Sequence, residues 1–234
     1  MRSPFVALFC GTKLKPSKPM KKYLSMALIV LFLVLSVLEF IPVLVWTIMN
    51  LELYIWLFGG IGLYFLIRRL RIVRDNEKWL QTTSHELTHA IVGMMFLRKI
   101  HSLQAGEGTG VVQHSGNRTF GSLFISLAPY CLPIFTYGFL IFRLLGAEET
   151  IFVFDIIVGI TLGFHILCFV KQTGNYQTDI SSNGFTRSYL FIAGHLFFNA
   201  TIILLSVRMG VLGAFGYIFS HFWQELVGWW QFIF

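Results

Sequence analysis

Charge is scarce in this chain. Only 12% of its 234 residues are Asp, Glu, Lys or Arg, about half the share of a soluble globular domain. Just 11 of them are acidic, so a water-soluble fold with a charged shell is excluded. Cysteine is scarcer still: Cys10, Cys131 and Cys168 are the complete set, and no two form a C-x-x-C pair. That excludes a disulfide framework and a cysteine-based structural zinc module. The alternating ten-residue segments of an outer-membrane barrel are missing. Neither an internal repeat nor a long polar block marks a second domain, so residues 23–234 read as one membrane-embedded unit.

What is present is apolar. Hydrophobic residues make up 56% of the chain and aromatics 17%, with a mean hydropathy of +0.71. In lipid only helices and closed barrels satisfy their own backbone, so the long apolar runs define an all-α polytopic membrane protein. A net charge of +7 and a pI near 9.5 would suit nucleic acid, but the basic residues cluster beside apolar spans. They read as topology signals and anionic-lipid contacts, with the bilayer as partner and no nucleic acid.

The expected organisation follows from the runs. Residues 1–22, with six basic residues and Pro16 and Pro19, read as a flexible cytoplasmic tail, and Met20-Lys21-Lys22 is as good a start as Met1. The first span runs from Tyr23 to about Met49, with Glu39 and Pro42 marking a kink or a polar inward face. The second covers Leu51–Ile67, where Gly59 and Gly60 permit close helix approach. Arg68, Arg69, Arg71 and Arg74 then mark a cytoplasmic loop. A third span enters from about Asn76. After it come Gly106, Gly108, Gly110 and Gly116 around Val111 and Val112, which predict a short β-hairpin or re-entrant loop. Further spans are expected at Phe120–Leu145, Ile151–Val170 and Tyr189–Val207. Met209–Phe234, with Trp223, Trp229 and Trp230, is a seventh span or an interfacial helix. The total is about six or seven transmembrane helices.

Within the third span lies His85-Glu86-Leu87-Thr88-His89. Positions i and i+4 of a helix share a face, so both imidazoles can reach one metal ion. Glu86, one step round, can reach a metal-held water and act as general base. Ionisable groups in a lipid-length apolar segment cost several kcal/mol unless paired or metal-bound, which marks the cluster as functional. The bland alternative is helix-packing histidines with Glu86 in a polar cavity or paired to Arg74. An exposed edge at Val111-Val112 can pair with an extended peptide beside the metal.

Catalytic zinc takes three protein ligands and keeps one position open. Asp179, His165, His114, Asp155 and His195 are the candidates for the third. Asp179 leads, as an acid in an otherwise uncharged Gln/Thr/Ser/Asn loop followed by Asn183 and Gly184, which allow the loop to fold inward.

His85-Glu86-Leu87-Thr88-His89-Ala90 in a membrane helix, the Gly110-Val111-Val112 turn, the Ala128-Pro129-Tyr130 span and a late aspartate together resemble the site-2 protease family of intramembrane zinc metallopeptidases. The likeness is to its compact bacterial branch without a PDZ domain, over roughly residues 76–200. It implies zinc on His85, His89 and Asp179, Glu86 as base, a membrane-protein or peptide substrate, and a bacterial inner membrane. It also implies Asn175 as counterpart of the substrate-orienting asparagine, and Val111 and Val112 beside the substrate. The family's Asn-x-x-Pro and Leu-Asp-Gly pattern is replaced here by Gln177-Thr178-Asp179-Ile180 without a proline. Two other classes fit the same residues: a metal transporter using Asp155, His165 and His195 as well, and an inactive protease-like scaffold. Strict alternation of the spans would put the 171–188 loop on the face opposite the 68–78 loop. Asp179 would then meet His85 only if the chain re-enters the membrane or one span is not a full crossing.

Overall fold

Helix α1 (Lys18–Met49) opens the structure, a computed structural model that describes residues 18–70, 72, 76–106, 110–114, 121–174 and 176–233. The basic tail expected over 1–22 therefore gives way to helix at Lys18, and residues 1–17 lie outside the described set. A 3₁₀ turn over Leu51–Tyr54 joins α1 to α2 (Ile55–Arg69). Then follow α3 (Glu77–Met95), β1 (Ile100–Ala105), β2 (Gly110–His114), α4 (Ser122–Cys131) and α5 (Ile134–Phe142). The chain continues through α6 (Ile151–Gln172), a short α7 (Thr178–Asn183) and a long α8 (Phe185–Ile233).

Among the described residues four helices are long and apolar enough to cross a membrane, or five if the bent pair α4–α5 is one span. The outward face of α1 carries Leu24, Leu28, Leu31 and Leu38, each more than half exposed, where a soluble protein would place charge. The count differs from six or seven for three physical reasons. α3 carries too much polar side chain to qualify. The 120–145 stretch breaks between Cys131 and Ile134, and its halves meet at 77°. The two C-terminal spans lie within α8, which breaks at Gly210, where φ is +75°. Beyond that break the chain turns back against α1, bringing His221 Nδ1 within 2.8 Å of Glu39 Oε1. Glu39 thus marks a polar inward face. Trp223 is 60% exposed, and the side chains of Trp229 and Trp230 lie outside the described set.

Two helix pairs set the frame, and both are parallel. Along α2 and α6, Leu57 and Gly60 meet Gly159, and Tyr64 meets Gly163 and Phe164. A Cβ on Gly60 would stand 2.9 Å from the Ile156 carbonyl carbon, whereas Gly59 has nothing within 4 Å. Gly60 is therefore the one of the two that close approach requires. Along α1 and α8, Arg187 donates to Ser25 Oγ at 2.8 Å, Phe32 packs on His195 and Arg208 lies over Trp46. One end of the molecule thus gathers the end of α2, the start of α3 and the end of α6. There Glu77 Oε1 accepts from Arg68 Nε at 2.8 Å and lies 3.2 Å from Lys171 Nζ.

This arrangement answers the topological difficulty posed by alternation. Arg68, Glu77 and Lys171 meet at the same end, so α3 and the strands make no net crossing and α4–α5 carry the chain to the far end. α3 closes as a Schellman motif, with Arg98 N–H bonded to Gly93 O and Leu97 N–H to Met94 O, both at 2.9 Å. Leu97 occupies the left-handed position at φ 57°, where glycine is usual, and is 96% exposed. The chain then enters a two-stranded antiparallel sheet, β1–β2, with Val112 opposite Leu103 and Val111 opposite Gln104.

Candidate metal centre

Helical spacing on α3 puts His85 and His89 on one face, their rings edge to face with centroids 4.8 Å apart. Each ring needs its Nδ1 hydrogen spoken for if Nε2 is to present a lone pair. For His89 the acceptor is the Ile125 carbonyl oxygen, 2.7 Å from Nδ1. That carbonyl is free for a reason written in the sequence. The residue four positions on is Pro129, which has no N–H to donate back along α4. For His85 the acceptor is the Gln172 side-chain oxygen at the end of α6, 3.3 Å from Nδ1.

Asp179 reaches the histidines from α7. The helix ends at Gly184, whose φ of +84° turns the chain into α8. Asn183 Nδ2 donates to Asp179 O at 2.7 Å and to Ser126 Oγ at 3.0 Å, tying α7 to α4. The carboxylate lies within reach of Tyr130 OH at 3.4 Å and Ser126 Oγ at 3.5 Å. His85 Nε2, His89 Nε2 and Asp179 Oδ2 form a triangle with edges of 3.2, 3.4 and 3.5 Å. They are the group among the described residues that can hold a metal ion.

The spacing of the triangle suits metal donors better than a close ion pair. A charge-assisted N–H···O bond from an imidazolium to Asp179 would measure about 2.7–2.9 Å, well inside the observed 3.4 and 3.5 Å. Tetrahedral zinc with ligands at about 2.0–2.2 Å holds neighbouring donor atoms about 3.3 Å apart. With both Nδ1 atoms committed to acceptors, the two Nε2 lone pairs face each other at 3.2 Å, an arrangement that a cation between them relieves. The donor set therefore fits zinc.

Burial is the main influence on the Glu86 carboxyl and raises it above the usual carboxylate range, although the two histidines pull it down. Burial also pushes Asp179 upward, but contacts from His85 and His89 outweigh it and hold that carboxyl well below its ordinary range. Neither group lies in a candidate span. Gly110 of β2 lies directly over Glu86: a Cβ there would be 2.5 Å from Glu86 Oε1. The site opens into a cavity of about 820 Å³ bounded by α3, β2, α4 and α7. Its wall is rich in uncharged donors and acceptors, among them Thr82, Gln177, Thr178 and Ser182, and it includes Val111 and Val112.

The remaining third-ligand candidates are elsewhere. Asp155 accepts from Arg143 Nε at 2.7 Å. His165 is enclosed beside Pro133 and Phe164 with its Nε2 unpartnered. His195 Nδ1 bonds to Phe191 O and its ring stacks on Phe191. The His114 side chain, Asn175 and Arg74 lie outside the described set. Sequence reasoning missed Gln172, Ser126 and the placement of Tyr130 at Asp179. Only Pro129 carried a signal, the carbonyl it frees four residues back. Comparison of the chain with family models, curated proteins and solved structures gives no match.

Proposed function

We propose that this protein is a membrane-embedded zinc metalloendopeptidase whose site resembles that of the site-2 protease family. The observation that carries the reading is the triangle of lone-pair donors at ligand spacing, with Glu86 beside it and a cavity with a largely polar wall in front. His85, His89 and Asp179 would hold the ion. Zinc bound there supplies the Lewis acidity that water activation and carbonyl polarisation require at neutral pH.

The chain's own groups do the rest. Glu86 takes a proton from the attacking water as the new C–O bond forms and returns it to the amide nitrogen as the C–N bond breaks. The Gln177–Asn183 wall offers donors to the developing oxyanion. The outer edge of β2 at Val111 and Val112 offers main-chain hydrogen bonds to an extended substrate. The arginines of the 68–78 segment set that end, with the start of α1, on the cytoplasmic side. The compact family branch makes a bacterial inner membrane the site of action. A transport reading has less support, because Asp155 and His195 are committed to partners away from the cavity.

The test is Glu86→Gln in detergent-purified protein, with zinc by elemental analysis and cleavage of a membrane-peptide substrate. Zinc is expected to stay near stoichiometric while cleavage falls by about 10²–10⁴-fold, the usual contribution of a positioned acid–base group. Undiminished cleavage would remove Glu86 from the role of base.

A further inference from the structure

The two histidines are held by unlike partners. His89 rests on a main-chain carbonyl that Pro129 frees, a fixture that side-chain substitution at Ile125 leaves in place. The polar partner given to His85 Nδ1 is a side chain, the Gln172 carboxamide, 87 residues away. Gln172 is the last residue of α6, and its neighbour Lys171 is tethered to Glu77 in the first turn of α3. The close α2–α6 packing at Gly60 and Gly159 fixes how far α6 extends toward the site.

We infer that Gln172 is a positioning residue that fixes the ring and tautomer of His85 as a metal ligand, an inference that rests on the zinc reading above. The carboxamide oxygen accepts the Nδ1 hydrogen, which leaves the Nε2 lone pair aimed at the triangle shared with His89 and Asp179. A neutral amide does this without adding charge. A carboxylate in its place would accept the same hydrogen more strongly and raise the ligand's basicity.

The experiment measures zinc dissociation constants by competition with a chromophoric chelator, using the full-length protein in detergent as wild type, His85→Ala, Gln172→Ala and Gln172→Glu. The visible spectrum of the cobalt(II)-substituted forms is recorded in parallel. Gln172→Ala is expected to weaken zinc by about 10–100-fold, as loss of such partners does, and to change the cobalt spectrum. Gln172→Glu is expected to bind zinc at least as tightly as wild type, which also shows that the end of α6 tolerates substitution. Wild-type affinity and an unchanged spectrum in Gln172→Ala would overturn the role of Gln172 while leaving the zinc site standing. Equal weakening by Ala and Glu would overturn it too, by showing that Gln172 acts only through packing. No zinc on wild type would remove the zinc reading and this inference together.

Discussion

Glu86 and Gly110 share a space that admits no methyl group. A Cβ at position 110 would stand 2.4–2.7 Å from Cγ, Cδ and Oε1 of Glu86, so the glutamate side chain is what must move. Gly110→Ala is therefore expected to displace the base and leave the ligands alone. Cleavage should fall by about 10²-fold or more with zinc content unchanged, read by the same two assays. Loss of zinc as well would mean that β2 supports the ligands, not only the base. At this scale the sequence was informative about half of the site. His85, Glu86 and His89 were legible because helical spacing is local. Asp179 was legible by elimination, as the lone acid in a neutral loop. Gln172 and Ser126 were not, because their roles depend on which helix ends meet, and nothing within a few residues of either signals that.

The element that sequence reasoning treated most differently from the structure is α3. Its motif lies in an apolar stretch, which by itself reads as a span. Its sequence nonetheless carries Gln81, Thr82 and Ser84 before the motif, and it is anchored at its first turn by charge. Burial alone would raise the Glu77 carboxyl, but hydrogen bonds from Arg68 and Lys171 outweigh it and hold the group below its ordinary 4.5. Because the folded-state pKa is lower than the unfolded one, the stabilisation is complete above about pH 4.5 and drains away as pH falls through the folded value. Glu77→Gln is expected to cost about 1–3 kcal/mol at pH 7. In thermal unfolding in detergent the gap to wild type should close as the pH is lowered beneath 4.5. A gap that stays constant with pH would assign Glu77 a packing role instead. The apolar helices were the easy part: α1, α2 and α6 match their expected runs closely, since lipid solvation acts on composition alone. The break at Leu132–Pro133 was signalled by Pro133, but its 77° angle is a product of packing.

For the whole molecule, sidedness is the quantity that local signals get wrong. One crossing more or fewer inverts everything after it, and strict alternation with α3 as a crossing separates Asp179 from its partners. The parallel α2–α6 and α1–α8 pairs put the two loops together again. In a background without native cysteines, Arg69→Cys and Ser181→Cys should react with an impermeant maleimide from one side of sealed vesicles, and Glu149→Cys from the other. All three residues are exposed. Labelling of positions 69 and 181 from opposite sides would refute the parallel arrangement.

The break in α8 leaves carbonyls that no helical N–H follows, and lipid cannot satisfy them. Arg143 does so, donating to Ser206 O at 3.2 Å and Val207 O at 2.8 Å while its charge is cancelled by Asp155. The cavity draws its walls from the opposite end of the molecule. Water admitted at the cavity end would therefore leave those carbonyls, and the cancelled charge that serves them, undisturbed at the other.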